Sequence, residues 1–272
     1  MNKILVPLDF SPCSDNALRY AIEFAKRMDA SLTLLHVYHI PAYNADMPIP
    51  EEALNVIRES AIKTLEEIKA RILKENNLEV HIKAEPGFSA MTIEEESKAM
   101  KATMIIMGTQ GANGLKRAVM GSHAAYVCTH ASVPVLAIPE MARFTGINKV
   151  VIASEFLDAE YPLLREFIEG IKPFRPDIEI LHIVESEKET QEATLAFRNK
   201  LESYLSYPKI TVSELYGNAV QQIGDHTAFR HTDMLVMINH KRNIFQKIFT
   251  RSITKEFVFR AQVPLLALHL PH

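Results

Sequence analysis

Lys3-Ile4-Leu5-Val6-Pro7-Leu8-Asp9-Phe10 reads as a short apolar strand that ends in an acidic residue, and the chain carries it twice. Lys149-Val150-Val151-Ile152 followed by Glu155-Phe156 repeats it at an offset of 146, and Leu35-His36-Val37 returns as Leu181-His182-Ile183 at that same offset. Further along, Gly87 matches Gly217, Met107 matches Met237, Ser122 matches Ser252, and Val133-Pro134-Val135-Leu136-Ala137 matches Val263-Pro264-Leu265-Leu266-Ala267, all at an offset of 130. The second copy has therefore lost 16 residues between these blocks. A repeat of this size fixes the domain count at two.

Each copy alternates short β-branched or apolar runs with longer segments of helical period, the pattern of a parallel sheet flanked by helices. The pattern places strands near 3–8, 31–38, 78–84, 102–107 and 133–138, and again near 148–153, 177–184, 209–215, 233–238 and 264–268. The clearest helix is 51–75, where Leu54, Ile57, Ala61, Leu65, Ile68 and Ile72 recur at spacings of three and four, a stripe expected to be core. The fold class is α/β: two tandem doubly wound domains, residues 1–142 and 143–272, divided in the loop Met141-Ala142-Arg143-Phe144-Thr145-Gly146.

Composition narrows the function. Lys and Arg number 30 against 33 Asp and Glu, a formal charge of -3, so no global basic field is present to attract nucleic acid or anionic lipid. Two cysteines, Cys13 and Cys128, are too few for a disulfide framework or a cysteine-rich zinc module, which fits a reducing cytoplasm. No run approaches the roughly 18 apolar residues of a membrane span, and the first residues lack a signal peptide's apolar core. The expectation is a cytoplasmic protein with no nucleic-acid or membrane partner.

The chemistry-bearing stretch of the first copy is Met107-Gly108-Thr109-Gln110-Gly111, then a basic loop through Gly114, Lys116 and Arg117, then Gly121-Ser122-His123 opening a helix. Glycines let a backbone approach a ligand closely, and a helix start offers unpaired N–H groups and a positive dipole end. Phosphate is the natural occupant. Thr109 and Ser122 could add hydroxyl contacts, and Lys116 or Arg117 could neutralise charge from the rim. Open doubly wound sheets bind ligands at the carboxyl ends of strands where strand order reverses, which makes Asp9 a candidate acceptor for a ribose or an adenine amino group.

Asp9, the Leu35-His36-Val37 strand and the Gly108, Gly111, Gly121-Ser122 spacing resemble the universal stress protein family, here as a tandem of two domains. The resemblance implies five-stranded parallel sheets of strand order 3-2-1-4-5, domains that pair within the chain through the fifth strand, and ATP at the carboxyl ends of strands one and four. A homodimer is left open. On that reading Pro7, Leu8, Asp9 and Val37 lie near ribose and adenine, Met107 supports the base, Gly108, Thr109, Gly111, Gly121, Ser122 and His123 line the phosphates, and Mg2+ is held mainly by the phosphates. Family members that bind ATP often carry a hydroxyl two residues after the Ser, where this chain has Ala124.

The second copy departs from the motif: Gly108 becomes Ile238, Gly111 becomes Lys241, Gly121 becomes Arg251 and Asp9 becomes Glu155. Side chains then fill space where a backbone had to meet phosphate, so nucleotide is expected in the first domain only. Lys241, Arg242, Lys247 and Arg251, interleaved with Ile244, Phe245, Ile248 and Phe249, read as a loop folded over the vacant site. His226, His231 and His240 with Asp225 and Asp233 do not match a zinc spacing. His36 and His182, at equivalent strand positions, read as satisfied structural histidines. The functional expectation is an ATP-binding regulatory or stress-response protein rather than an enzyme. The rivals are a slow ATPase or a phosphoryl- or nucleotidyl-transfer enzyme of the same broader fold, and a scaffold that binds an apolar ligand or partner through the C-terminal domain.

Overall fold

The central strands, such as Ile4-Leu5-Val6, Ile105-Ile106-Met107, Val150-Val151-Ile152 and Leu235-Val236-Met237, are apolar runs with little alternation, as expected where both faces of a parallel sheet are covered by helices, whereas the third strand of each copy, Val80–Pro86 and Ile210–Tyr216, is more polar. The structure, a computed structural model, describes residues 2–39, 51–110, 120–184, 191–204, 207–239 and 263–270. The chain passes from one compact unit to a second between Glu140 and Met141.

In the first unit the strands β1 (Asn2–Pro7), β2 (Ala30–Tyr38), β3 (Val80–Pro86), β4 (Met104–Gly108) and β5 (Val135–Ile138) lie in the order β3-β2-β1-β4-β5. Their connections carry helices α1 (Pro12–Met28), α2 (Glu51–Glu75), α3 (Ser89–Ala99) and α4 (Ser122–His130). In the second unit β6 (Lys149–Ala153), β7 (Asp177–Val184), β8 (Ile210–Tyr216), β9 (Met234–Asn239) and β10 (Leu265–His269) lie in the order β8-β7-β6-β9-β10. Its helices are α5 (Glu160–Ile171), a 3-10 turn at Lys172–Phe174, α6 (Gln191–Tyr204) and α7 (Ala219–Phe229). Both units thus have the expected order 3-2-1-4-5, with every strand pair within a unit parallel.

The repeat extends to register. Ile4 stands opposite Leu32 and Met104 in the first sheet, and Val150 opposite Ile178 and Met234 in the second, so the offsets of 146 and 130 read from sequence hold pair by pair. The lost residues fall in the crossover between the second and third strands, where α2 has 25 residues and α6 has 14. Matched Gly87 and Gly217 end the third strands at φ values of 153° and 123°, where a Cβ would be strained, and donate N–H bonds to Tyr38 and Val184. These two glycines are retained for backbone geometry.

The cores are the strands themselves: Leu5, Ile105 and Leu136 in the first unit and Val151, Ile180 and Val236 in the second have no exposed surface. The helix 51–75 forms over the expected residues, but its stripe is only partly core. Ala61, Leu65 and Ile72 are buried, whereas Leu54, Ile57 and Ile68 are half-buried. Among the described residues no helix is long and apolar enough to cross a membrane.

Candidate functional site

β1 and β4 are neighbours, so the segments that leave their carboxyl ends start one strand spacing apart, about 4.8 Å. Beyond β1 the chain turns through Leu8, Asp9 and Phe10 into α1. Leu8 is buried and its N–H donates to the Leu35 carbonyl at 2.8 Å. Asp9 is exposed, and its Oδ1 accepts from the Ser11 N–H at 3.1 Å and the Ser11 hydroxyl at 2.6 Å. Ser11 Oγ in turn accepts from the Ser14 N–H at 3.2 Å, which caps α1 with the chain's own side chain.

Beyond β4 the arrangement differs. Thr109 donates its N–H to Ile138 at 3.0 Å, and its carbonyl accepts the Gly121 N–H at 2.7 Å, which ties the helix start to the strand end. α4 then begins at Ser122 with no side-chain cap, and both Ser122 and His123 are exposed. With no side-chain cap from Gly121, the first N–H groups of that helix and the positive end of its dipole are an arrangement suited to an anion. Thr109 is buried with its Oγ1 4.0 Å from Cys13 Sγ, so of the two expected hydroxyls only Ser122 reaches the surface. Pro7 and Met107 are buried at the strand ends and Val37 is half-buried at the end of β2.

Gly108 has a role the sequence reading did not give it. A Cβ there would lie 2.9 Å from Cys13 Sγ and 3.1 Å from the Cys13 carbonyl carbon and oxygen. Its bareness lets the first turn of α1 close onto β4, and Cys13 is the residue that fills the gap. Gly121 has φ -64°, open to any residue, so its value lies in the absent side chain rather than in the backbone angle. Both thiols are buried. Burial pushes the Cys13 thiol up against hydrogen bonds that lower it, and pushes Cys128 up to about 12. Gly111, Gly114, Lys116 and Arg117 lie outside the described residues.

The second unit builds the same place with different side chains. Ile238 stands at the Gly108 position and Ala159 at that of Cys13, and α5 starts only at Glu160, the counterpart of Ser14. α1 approaches β1, β2, β4 and β5 closely, whereas the close approaches of α5 are to α6 and the 3-10 turn. The Glu160 carboxylate is fully buried at that helix start and accepts from the Ser154 hydroxyl and, at 3.2 Å, from the Glu155 N–H. These bonds tie the start of α5, the counterpart of α1, to the turn after β6, while the counterpart of α4 lies outside the described residues. The basic and apolar loop from Lys241 to Arg251 and His240 lie outside the described residues.

The histidines resolve into structural roles. His36 Nδ1 donates to the Leu8 carbonyl at 2.7 Å and His182 Nδ1 to the Ser154 carbonyl at 3.0 Å, equivalent bonds in the two units. His226 lies 3.0 Å from Glu179, and Asp233 accepts the Asn148 and Lys149 N–H groups at 2.7 and 2.9 Å, so these two candidates are drawn to separate partners. Among the described residues no three His, Cys, Asp or Glu side chains come together as a metal site.

Residues 1–139 match the model of the universal stress protein family. A universal stress protein of Methanocaldococcus jannaschii is 30% identical over 141 residues, 50% of this chain and 81% of that protein. One from Bacillus subtilis is 29% identical over 146 residues, 50% of this chain and 98% of that one. Over 99% of the chain the fold is similar to the crystal structure of a universal stress protein from Archaeoglobus fulgidus, with a TM-score of 0.76, 19% identity and 96% of that chain covered. A putative universal stress protein from Pseudomonas aeruginosa gives a TM-score of 0.66 at 20% identity, covering 99% of this chain and 93% of that chain.

Proposed function

Since the chain belongs to the universal stress protein family, we propose that it is a cytoplasmic ATP-binding regulator of stress responses whose first unit alone holds the nucleotide. The observation that supports this reading is the start of α4, uncapped at exposed Ser122 and tied through the Gly121 N–H to the Thr109 carbonyl one strand from exposed Asp9, whereas the second copy carries Ile238, Lys241 and Arg251 where this place has Gly108, Gly111 and Gly121. Phosphate oxygens would take the free N–H groups of α4 and the Ser122 hydroxyl, and exposed Asp9, one strand away, would take a sugar hydroxyl. Mg2+ would arrive with the nucleotide, held mainly by its phosphates.

Titration calorimetry of the full chain with ATP tests the reading. The expected stoichiometry is one nucleotide per chain, and Gly121→Arg, which copies Arg251, abolishes binding. Two nucleotides per chain would overturn the restriction to one unit, and unchanged affinity in the variant would overturn the site. Turnover of about 1 per second or faster by clean protein would favour the enzyme instead.

A further inference from the structure

Phe10 and Phe156 occupy equivalent positions with the same unusual backbone, φ 61° and 58°, a region that bulky residues rarely enter. Each ring lies on a histidine whose Nδ1 proton is fixed by a carbonyl. Phe10 stacks on His36 and Phe156 on His182, both at 4.3 Å between centroids, with interplanar angles of 21° and 18°. One face of each ring is thereby used in the same way.

The other face is where the units part. In the second unit Phe197 of α6, itself buried, stacks on Phe156 at 4.0 Å and 16°, and Tyr161 continues the stack at 4.9 Å. In the first unit no described ring lies on the outer face of Phe10, which is 37% exposed. The strand order also matters: the ends of β4, β1 and β2 follow one another at about 4.8 Å per strand. The uncapped helix lies beyond β4, Asp9 lies beyond β1, and the Phe10 ring, also beyond β1, reaches over His36 of β2. Phosphates, sugar and base of one nucleotide would meet these in turn.

We propose that Phe10 is a positioning residue for the nucleotide, the platform on which its base stacks, and that Phe197 fills this same place in the second unit. The proposal rests on the reading of the first unit as a nucleotide site. A base stacked on an aromatic side chain contributes roughly five- to a hundredfold in affinity. Calorimetry of the full chain with ATP, for wild type, Phe10→Leu and Phe10→Trp, decides it. Leucine keeps apolar bulk and loses the flat ring, so Phe10→Leu binds about five- to a hundredfold more weakly, while Phe10→Trp stays within about threefold of wild type. Unchanged affinity in Phe10→Leu would overturn the proposal. So would equal weakening in both variants, which would trace the loss to the strained backbone rather than to the ring. Wild type that binds no ATP would instead bring down the functional reading and this proposal with it.

Discussion

Gly108→Ala adds one carbon at a place where the structure leaves no room for it. That carbon would sit 2.9 Å from Cys13 Sγ and 3.1 Å from two backbone atoms of Cys13, against the roughly 3.5–4.0 Å of a relaxed contact. The sulfur can rotate away, but the carbonyl group is fixed in the first turn of α1, which must move by about half an ångström to restore contact distance. Overpacking of this kind costs about 1–3 kcal/mol, which for an m-value of about 2 kcal/mol/M lowers the urea midpoint of the first unit by about 0.5–1.5 M. Hydrogen exchange along a urea series, read in peptides from residues 2–39, assigns the loss to that unit. Adding Cys13→Ala to Gly108→Ala removes the nearest contact and leaves the other two, so it recovers part of the coupling and not all. A midpoint unchanged within about 0.2 M would refute the argument that bareness at Gly108 is what seats α1.

Two further outcomes concern the second unit. Phe197→Ala empties the middle of the stack between Phe156 and Tyr161 and costs about 3–5 kcal/mol in that unit, read by the same exchange experiment, while the ATP stoichiometry of the chain stays unchanged. Burial pulls the Glu179 carboxyl upward, but the Ser213 hydroxyl, His226 and Lys149 around it more than offset burial and hold it below the usual carboxylate range. Its contribution to stability is therefore complete above the ordinary carboxyl pKa near 4.3 and is lost as pH falls through the lowered folded value. Glu179→Gln should flatten the fall of the second unit's urea midpoint between about pH 5 and 3, and a slope equal to wild type would refute the assignment.

Much of the fold could be read from the chain because it contains its own alignment. Two copies at fixed offsets expose which positions pair, and the offsets proved correct to the residue in both sheets. Helix 51–75 was legible from its stripe, although the half-burial of Leu54 and Ile57 was not, since spacing reports a face and not what covers it. The glycine loop was legible as a candidate phosphate site, but the partner of Gly108 was not. Cys13 lies far away in sequence, and only the packing of α1 on β4 brings them together. Phe197 was hidden for a different reason: it lies in the crossover that lost residues, where the two copies have no common register. Glu160 was missed because a Glu near a helix start is an ordinary sight, and its complete burial is a tertiary property.

The twin stacks of phenylalanine on histidine also have an optical consequence. The chain contains no tryptophan, so its fluorescence background above the tyrosines is blank. Phe10→Trp and Phe156→Trp would each place a single emitter on an imidazole at 4.3 Å, in backbones of the same twist, within one polypeptide. The second emitter lies beneath Phe197 and the first lies open, so any added solute that quenches one and spares the other reports, without a separate control protein, on which end of the duplication it has reached.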